Sequence, residues 1–410
     1  MTDKLSQAAI PFSPLIGVAP LMRQAFMEVD LRPLGAELLA RAQANPDDAN
    51  AVFDFSTVLQ LTGERDAALA VQMEAIRIKS LYSVASVLPT RLRLLVIMGP
   101  GDLMSNTPIE FLLEDSDVAL DMLYLTLDTA WPETVPDHDV LLVAIAESEA
   151  NRDLLPLVAQ LVANWPRPVI NRPERIAVLS RDGVCAALDG VAGMLLPKTI
   201  RTDRGSLGAL AAGDITVGEL LPGDAFPLIV RPLGSHAGTD LDKVSDAAEL
   251  LRYLGRVGGD AFYLSRFIDY SGADGLFRKY RVVLIAGVPY ICHFAISQHW
   301  MIHYLNAGMA ESADKRRQEE ACMLHFDQEF AARHRDALSV INQRIGLDYV
   351  GIDCAETADG ALLIFEIDNA MIVHGMDPVD KFAYKKPIMQ KVFAGFRALL
   401  ESVRGDTRAA

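Results

Sequence analysis

Two apolar runs in the stretch 349–368 flank a polar turn, and acidic side chains stand within or beside these runs at Asp353, Glu366 and Asp368. Side chains alternate between the two faces of a β-strand, so a strand would place Glu366 and Asp368 on the same face. Crowded carboxylates repel each other unless a cation neutralises them, and hard oxygen ligands suit Mg²⁺, which commonly also binds substrate phosphates. The stretch therefore indicates a magnesium–nucleotide site. The alternative is that these acids form only the solvated face of a hairpin, because most acidic residues are exposed.

An Asp-Gly turn at 359–360 separates two apolar runs and predicts that they pair as antiparallel strands. This hairpin resembles the metal-binding hairpin of the ATP-grasp ligases, in which an Asp on one strand and a Glu-x-Asn on the next hold magnesium against the ATP phosphates. The resemblance implies that Asp353 and Glu366 are metal ligands. Asp368 stands where the family usually has Asn, so the third ligand is either Asp368, which we favour, or the following Asn369.

A glycine-rich loop follows a predicted short strand that ends at Arg231. The loop residues are Gly234, Ser235, His236, Ala237 and Gly238. Glycines permit close backbone approach to phosphate, and a guanidinium can bind phosphate oxygens in pairs. The order of strand, Arg-Pro and glycine-rich lid resembles that of ATP-grasp enzymes, which implies that Arg231 contacts the ATP phosphates while the loop closes over them. The alternative is an ordinary strand, turn and helix, with the helix beginning near Lys243.

Two further segments resemble parts of the family's nucleotide site. Arg181 stands near the place where a lysine of the family commonly touches an ATP phosphate; the alternative is a surface arginine. The stretch 261–270 resembles the hinge at which adenine hydrogen-bonds to the backbone. The backbone groups concerned would belong to Arg266, Phe267 and Ile268. Asp269 would accept a hydrogen bond from the ribose or, equally, cap a turn.

Two basic residues, Lys279 and Arg281, lie two positions apart in a predicted hairpin that turns at 286–287, so they share a face of one strand. The family has basic residues here against phosphate or a substrate carboxylate. The resemblance implies a nucleotide contact for Lys279 and, together with Arg231, a catalytic role for Arg281 at the acylphosphate end. His293 on the partner strand is the third catalytic candidate.

Four side chains near this hairpin and beyond the acidic hairpin are predicted to line the acceptor pocket. They are His299, Trp300, His303 and His374. An imidazole there could take a proton from an attacking amine. His299 and His303 have a zinc-like spacing, but no C-x-x-C pair completes a zinc site. The alternative is a set of surface histidines beside a packed tryptophan.

Composition narrows the class of protein. The chain has 410 residues, of which 51% are hydrophobic and 22% charged, as in globular proteins of two or three domains. A formal net charge of −16 argues against a nucleic-acid groove. Four cysteines without C-x-x-C spacing fit a reducing compartment, and no uncharged run approaches membrane-spanning length. We expect a soluble, cytoplasmic protein without nucleic-acid or membrane partners, with a homodimer as the default assembly.

Alternating apolar strands, one of them at 122–127, and helices after residue 91 predict a parallel sheet with crossover helices. A stretch of alternating charge over about 310–345 predicts a long helix. Residues 8–26 are apolar but are broken by three prolines, which predicts an arm rather than a long helix.

The helical pattern over 36–80 resembles a single tetratricopeptide helix pair, which must dock on the rest of the protein or at a dimer interface. The expected fold class is α/β and α+β, multidomain. The expected domains are an N-terminal arm and tetratricopeptide-like helical segment (1–90), a Rossmann-like pre-ATP-grasp α/β domain (91–195), an ATP-grasp small subdomain with the lid (196–270) and an ATP-grasp large subdomain with the metal site (271–410).

The ATP-grasp resemblance covers about residues 91–402 and implies a ligase that uses ATP and Mg²⁺. A substrate carboxylate attacks the γ-phosphate, which gives an acylphosphate and ADP, and an amine then displaces the phosphate to form an amide or peptide bond. The substrates would be a small-molecule acid and amine, or a peptide. Two alternatives stay open: a ligase that modifies a peptide held by the N-terminal helices, and a degenerate ATP-grasp adaptor without catalysis.

Overall fold

The structure of the protein, a computed structural model, describes residues 12–128, 131–132, 134–235 and 238–406. Its strands form three β-sheets. In chain order the strands are β1 (Leu81–Val84), β2 (Leu92–Met98), β3 (Val118–Tyr124), β4 (Val140–Val143), β5 (Val169–Ile170), β6 (Met194–Leu195), β7 (Thr199–Asp203), β8 (Leu228–Pro232), β9 (Asp242–Val244), β10 (Ala261–Arg266), β11 (Phe277–Ile285), β12 (Val288–Ser297), β13 (Tyr349–Glu356) and β14 (Leu362–Asp368).

Helices precede, separate and follow these sheets. Those of the described residues are α1 (Val18–Phe26), α2 (Arg32–Ala44), α3 (Ala49–Leu61), α4 (Arg65–Ile78), α5 (Ile109–Leu112), α6 (Leu154–Val162), α7 (Pro173–Ile176), α8 (Arg181–Ala187), α9 (Arg204–Ala212), α10 (Val217–Leu220), α11 (Ala247–Arg256), α12 (Ala313–Leu324), α13 (Phe330–Arg333), α14 (Arg335–Ile345), α15 (Val379–Phe382) and α16 (Lys385–Asp406). Within the described part of the chain, no helix combines the length and the apolar character needed to cross a membrane.

The first sheet has the strand order β1-β3-β2-β4-β5. Strands β2 to β5 run parallel, whereas β1 pairs antiparallel with β3. Every residue of β4 is buried, as expected for a parallel strand that is covered on both faces. The predicted parallel sheet is therefore confirmed, although the strand predicted at 122–127 begins earlier, at Val118.

The other two sheets are largely antiparallel. The second sheet has the order β7-β10-β8-β9, and the third has the order β12-β11-β13-β14-β6, in which only the β14–β6 pair is parallel. The predicted acidic hairpin is present as β13 and β14, which pair antiparallel with Asp353 opposite Glu366. The chain thus combines an N-terminal helical segment, a parallel α/β layer and two α+β units, which confirms the predicted fold class. The predicted domain boundaries stay predictions.

The first and third sheets share an apolar core. One buried cluster includes Leu141 of β4, Val282 of β11 and Ile352 of β13. The second sheet instead packs with α9 and α11 around a separate cluster, whose members all lie between residues 200 and 264. The second sheet is therefore a distinct body that faces the combined first and third sheets.

Two predicted helices are wrong in extent. The helix expected from near Lys243 begins at Ala247, where Asp246 accepts a hydrogen bond from the backbone N–H of Glu249 at 2.8 Å, and Lys243 itself belongs to β9. The long helix expected over 310–345 is divided into α12, α13 and α14. The break before α13 lets the Phe330 ring pack 4.3 Å from the Tyr280 ring under the third sheet.

The N-terminal helices dock on the first sheet, the first of the two arrangements expected for them. The Phe53 ring of α3 lies 4.4 Å from Tyr82 and 5.1 Å from Tyr124. The Tyr82 hydroxyl donates to the carbonyl oxygen of Ala75 in α4 at 2.8 Å. These contacts bury the apolar side of the helix pair. The tetratricopeptide likeness stays a prediction.

The residues that begin α1 are held by two buried carboxylates. Asp54 accepts hydrogen bonds from the backbone N–H groups of Ile16 and Gly17, at 2.8 and 3.0 Å. Glu110 accepts from the N–H groups of the next two residues, at 3.0 and 2.9 Å. The expected proline-broken arm over 8–26 thus contains a short helix from Val18 onward, and its first residues, to 11, lie outside the described residues.

Replacement of Gly17 by alanine should destabilise the fold more than the same change at Gly63. Both glycines have positive φ, 90° and 93°, so each substitution strains the backbone, and Gly17, with a ψ of 167°, lies in a region that essentially only glycine adopts. A Cβ at Gly17 would also lie 2.5 Å from the Glu110 carboxylate, whereas at Gly63 it meets nothing within 4 Å. We expect Gly17→Ala to lower the free energy of unfolding by roughly 1–3 kcal/mol more than Gly63→Ala. Urea denaturation measures both, and equal losses would contradict the close contact.

Candidate functional site

A cleft of about 390 Å³ lies between the second and third sheets. Strands β8 and β10 form one wall, β11, β13 and β14 form the other, and α8 and the segment after β4 complete the lining. Most of the residues predicted for the site are found here. Those that line the cleft are Arg181, Arg231, Ser235, Gly238, Arg266, Phe267, Ile268, Lys279, Arg281, Trp300, His303, Asp353, Glu366 and Asp368.

Asp353 is neutralised by two basic residues across the sheet. Strand β11 pairs with β13 so that Arg281 lies opposite Asp353. The Arg281 guanidinium donates to both carboxylate oxygens, at 2.7 and 2.9 Å, and the Lys279 ammonium donates at 2.8 Å. Burial alone would raise the pKa of Asp353, but the charges of Arg281 and Lys279 outweigh it and hold the pKa well below its ordinary value.

Glu366 belongs to a second ionic group that joins the two walls. Arg181 donates to its carboxylate at 2.5 Å and to the carbonyl oxygen of Phe365 at 3.2 Å. Burial opposes ionisation, but Arg181 and then Arg231 lower the pKa of Glu366 below its ordinary value. Burial, followed by the charge of Arg181, lowers the pKa of Arg231 to about 10. A guanidinium so deeply buried would gain from an anionic ligand in the cleft.

Of the three hairpin carboxylates that line the cleft, Asp368 is the one without a basic partner among the described residues. Its Oδ1 accepts a hydrogen bond from the backbone N–H of Ala370 at 2.9 Å. Burial, and then the charge of Glu366, raises its pKa to about 7. Asn369, the alternative third ligand, points away: it is fully buried and donates to the carbonyl oxygen of Ile145 at 3.1 Å. Of the two alternatives, only Asp368 faces the cleft.

The carboxylates fit a magnesium ion in part. No group of three or more His, Cys, Asp or Glu side chains is placed to hold a metal within the described ranges. Both oxygens of Asp353 already accept hydrogen bonds from Arg281 or Lys279. Asp368, by contrast, is an acid whose raised pKa shows that its charge is uncompensated, the condition that a cation relieves. The predicted magnesium site stays a prediction, with Asp368 as its best-fitting ligand.

Replacement of Asp368 by asparagine should stabilise the ligand-free protein relative to wild type above about pH 5. The pKa of Asp368 in the folded state, about 7, lies above its ordinary value. The group therefore contributes stability that is fully present below about pH 4 and is lost as the pH rises through about 7. Asparagine cannot ionise, so we expect Asp368→Asn to gain roughly 1–2 kcal/mol relative to wild type between about pH 5 and pH 8. Thermal unfolding across this range measures the difference, and parallel pH profiles would contradict it.

The glycine-rich loop lies next to Arg231 as predicted. The Arg231 guanidinium donates to the Ser235 hydroxyl at 3.0 Å and also to the Ser235 carbonyl oxygen. Gly234 and Gly238 have positive φ, 73° and 76°, a conformation that glycine adopts without strain. His236, also predicted to cover the phosphates, lies outside the described residues. The described part of the loop therefore borders the cleft beside a buried cation.

The predicted hinge forms an apolar end of the cleft. Ile268 packs in one cluster with Leu363 and Phe365 of β14. The backbone N–H of Phe267 already donates to the carbonyl oxygen of Pro227 at 3.0 Å, so it is not free for a ligand. Asp269 does not belong to the lining: its carboxylate accepts a hydrogen bond from the backbone N–H of its second neighbour along the chain at 2.9 Å, the predicted turn-cap alternative.

Three predicted histidines lie outside the cleft lining, contrary to their expected positions. His293 on β12 packs against the Tyr304 ring at 4.6 Å, and burial and the charge of Arg281 lower its pKa well below the ordinary value. His299 is exposed beyond the end of β12. His374 packs 5.7 Å from Phe26 of α1, and burial lowers its pKa to about 4. His293 and His299 are close along the chain but are not brought to one surface, because His293 is packed on β12 whereas His299 is exposed beyond its end.

Other cleft residues were not predicted from the sequence. Tyr263 and Ser265 of β10 line the cleft opposite the carboxylates, and the period of two that governs strands could have identified them once the strand was placed. Glu147 also lines the cleft, just after the end of β4. A polar residue beyond the carboxyl end of a parallel strand is a general sign of a ligand site.

Comparisons with known proteins give likeness of overall structure only. No known family model and no curated protein matches the chain. A RimK domain ATP-grasp protein of Sphaerobacter thermophilus is 16% identical, with a TM-score of 0.43 over 75% of this chain and 99% of its own. A D-alanine–D-alanine ligase of Bacillus anthracis in complex with ATP is 15% identical (TM-score 0.46; 77% and 99% covered). The VanG D-Ala:D-Ser ligase of Enterococcus faecalis is 12% identical (0.45; 76% and 100%). At these values the likeness carries no conclusion about activity.

Proposed function

We propose that the chain is an ATP-dependent ligase that joins a carboxylate to an amine through an acylphosphate intermediate and releases ADP and phosphate. The observation that supports this most is the distribution of charge in the cleft. Five basic side chains and five carboxylates line the cleft, while an apolar cluster borders the same space. Few ligands need all of these features at once, and a nucleoside triphosphate with a divalent cation is one that does.

The nucleotide would lie with its base at the apolar end. Ile268, Leu363 and Phe365 offer apolar surface there, and backbone groups of 266–268 other than the N–H of Phe267 would supply the polar contacts. The cleft volume, about 390 Å³, falls in the range of roughly 300–1,000 Å³ that is usual for small-molecule sites. The triphosphate would then extend toward Arg231 and Lys279, whose charges suit phosphate oxygens. This orientation accounts for both the apolar and the basic part of the lining.

Magnesium would be held by the acidic hairpin, with Asp368 and Glu366 as the principal ligands and Asp353 beside them. Bound there, the ion would neutralise phosphate charge during phosphoryl transfer. Asp353 has a second task in the ligand-free protein, because it holds the basic pair of Lys279 and Arg281 in place. The site residues thus supply both the anionic and the cationic groups that phosphoryl transfer requires.

The chain's own residues would contribute mainly position and charge. A substrate carboxylate oxygen forms a bond to the γ-phosphorus while the bond from that phosphorus to ADP breaks. Arg231 and Arg281 would stabilise the negative charge that moves across the transferred group. The amine nitrogen then attacks the acyl carbon, and phosphate leaves with the electron pair of the broken C–O bond. The glycine-rich loop would exclude water, which would otherwise hydrolyse the acylphosphate.

Thermal stability with ATP, with Mg²⁺ and with both tests the nucleotide site without a known substrate, because specific binding raises the unfolding midpoint. We expect a rise that requires both ligands together. ADP release is then measured with panels of carboxylic acids and amines, and it should require one of each. A folded protein whose midpoint responds to no combination of ATP and Mg²⁺ would overturn the proposal.

One observation favours a second candidate function, that of a binding protein without catalysis. Both carboxylate oxygens of Asp353 accept hydrogen bonds from Arg281 or Lys279, at distances of 2.7 to 2.9 Å. If these ion pairs persisted in the nucleotide complex, Asp353 would not serve the metal. Such a protein would show the nucleotide-dependent rise in midpoint but would release no ADP with any acid and amine.

A further inference from the structure

Glu147 brings an uncompensated carboxylate to the cleft. It lines the cleft from the first-sheet side and is half-buried. In the part of the chain that the structure describes, its carboxylate makes no hydrogen bond and no ion pair. Its acidic neighbour Glu149 differs, because Arg152 and Arg201 bind that carboxylate at 2.6 and 2.5 Å. Of these two acids, only Glu147 has a charge left for a ligand.

The position of Glu147 is tied to the acidic hairpin. The side-chain amide of Asn369, the residue after Asp368, donates to the carbonyl oxygens of Ala144 and Ile145 at 3.3 and 3.1 Å. Glu147 follows Ile145 by two residues. The chain segment that carries Glu147 is therefore fixed against the end of β14, next to Asp368 in the chain.

The surroundings of Glu147 disfavour its charge. Burial raises the pKa of Glu147 above its ordinary value. The charge of Arg201 lowers this pKa in part, and the charges of Glu149 and Asp182 raise it further. A carboxylate withdrawn from water without a partner costs free energy, which a cationic group of a ligand would recover. A second anion, such as the carboxylate of the acid substrate, would instead be repelled. The preferred ligand group at this place is thus a cation.

We propose that Glu147 binds the ammonium group of the amine substrate, so that this substrate is a free primary amine held in its protonated form until the acylphosphate has formed. The Glu147 carboxylate then takes one ammonium proton, which frees the nitrogen lone pair to attack the acyl carbon. The inference rests on the proposed ligase function and adds the chemical class of the second substrate. Glu147 also sets the orientation of the two substrates, because the acid is drawn to the basic pair of Lys279 and Arg281 and the amine to the opposite side. An acylated amine, which carries no charge, is excluded.

Thermal stability in the presence of Mg²⁺ and a non-hydrolysable ATP analogue tests this assignment with defined probes. The probes are the common amino acids, putrescine and methylamine, each compared with its fully N-acetylated form. In wild type, at least one free amine should raise the unfolding midpoint and its N-acetylated form should not. The Glu147→Gln substitution should raise the dissociation constant for that amine at least tenfold. The unfolding midpoint of this variant without amine should equal that of wild type or exceed it.

Glu149→Gln is the matched control. It removes the same charge two residues further along the chain, from a carboxylate that already has basic partners. It should retain the amine response. The assignment is overturned if no free amine raises the midpoint, if acetylated and free forms act alike, if Glu147→Gln keeps the wild-type affinity, or if both variants lose it equally. The response to the ATP analogue and Mg²⁺ alone is measured in the same series, so failure of the nucleotide site is distinguished from failure of the amine site.

Discussion

Glu366→Gln should abolish the stabilisation that ATP and Mg²⁺ together give to the protein. The substitution keeps the size of the side chain and removes a charge that faces the cleft opposite Asp353. Loss of a principal metal ligand should raise the dissociation constant for the magnesium nucleotide more than about 100-fold. A ligand at 100 times its dissociation constant stabilises by about 2.7 kcal/mol, and this contribution should disappear from the thermal midpoint. Ligase activity should fall with it.

Glu356→Gln is the matched control for this experiment. Glu356 lies on the same hairpin but outside the cleft lining, where Arg333 binds it at 2.9 and 3.1 Å and His334 contacts it at 2.8 Å. Its replacement should lower the stability of the free protein and leave the response to ATP and Mg²⁺ intact. Wild-type nucleotide affinity in Glu366→Gln would remove the metal assignment from the hairpin.

Asp353→Asn should destabilise the ligand-free protein by about 3–5 kcal/mol, because it leaves two largely buried cations without their counter-charge. Asp353 is only 5% exposed and binds both Lys279 and Arg281. Denaturant unfolding at neutral pH measures the loss. A second substitution, Lys279→Met, removes one of the stranded charges, so the double variant should lose less than the sum of the two single variants.

The pH dependence of this loss follows from the lowered pKa of Asp353. A depressed pKa means that the stability contributed by the ionised group is present above its ordinary value of about 4 and is lost only as the pH falls toward the folded-state value. The difference between wild type and Asp353→Asn should therefore stay constant from about pH 5 to pH 8 and narrow in acid. A variant within about 1 kcal/mol of wild type at neutral pH would show that solvent already screens the two cations.

The sequence alone predicted the acidic hairpin because the signals for it are local. An Asp-Gly turn and a period of two are enough to pair β13 with β14 and to place Glu366 and Asp368 together. The partners of Asp353 could not be predicted in the same way, because they depend on the pairing of β11 with β13, whose residues are about 70 positions apart in the chain. The register of the β11–β12 pair also shifts beside Arg281, and that of the β13–β14 pair shifts beside Asp353.

The predicted histidines show the same limit of prediction from the sequence, because contacts between distant segments decide where they lie. His299, His303 and His374 were predicted together for the acceptor pocket because their residue type suits proton transfer, but of these three only His303 lines the cleft. His374 packs against Phe26 of α1, more than 300 residues earlier in the chain, and no local pattern reveals such a contact. Residue type identified candidates, whereas packing between distant segments decided which of them meet.

The second sheet has a consequence for protein engineering. Its chain enters at β7 and leaves at β10, and these strands are paired neighbours, with Thr199 opposite Ser265. Paired residues of an antiparallel sheet lie about 4.5–5.5 Å apart. After removal of the second sheet and its helices, a few glycines could therefore connect the residue before β7 to the residue after β10. The core of this sheet contains no residue from the rest of the chain. The second sheet can thus be excised as one segment, and the rest of the chain could accept a different segment with another glycine-rich loop at the same two positions.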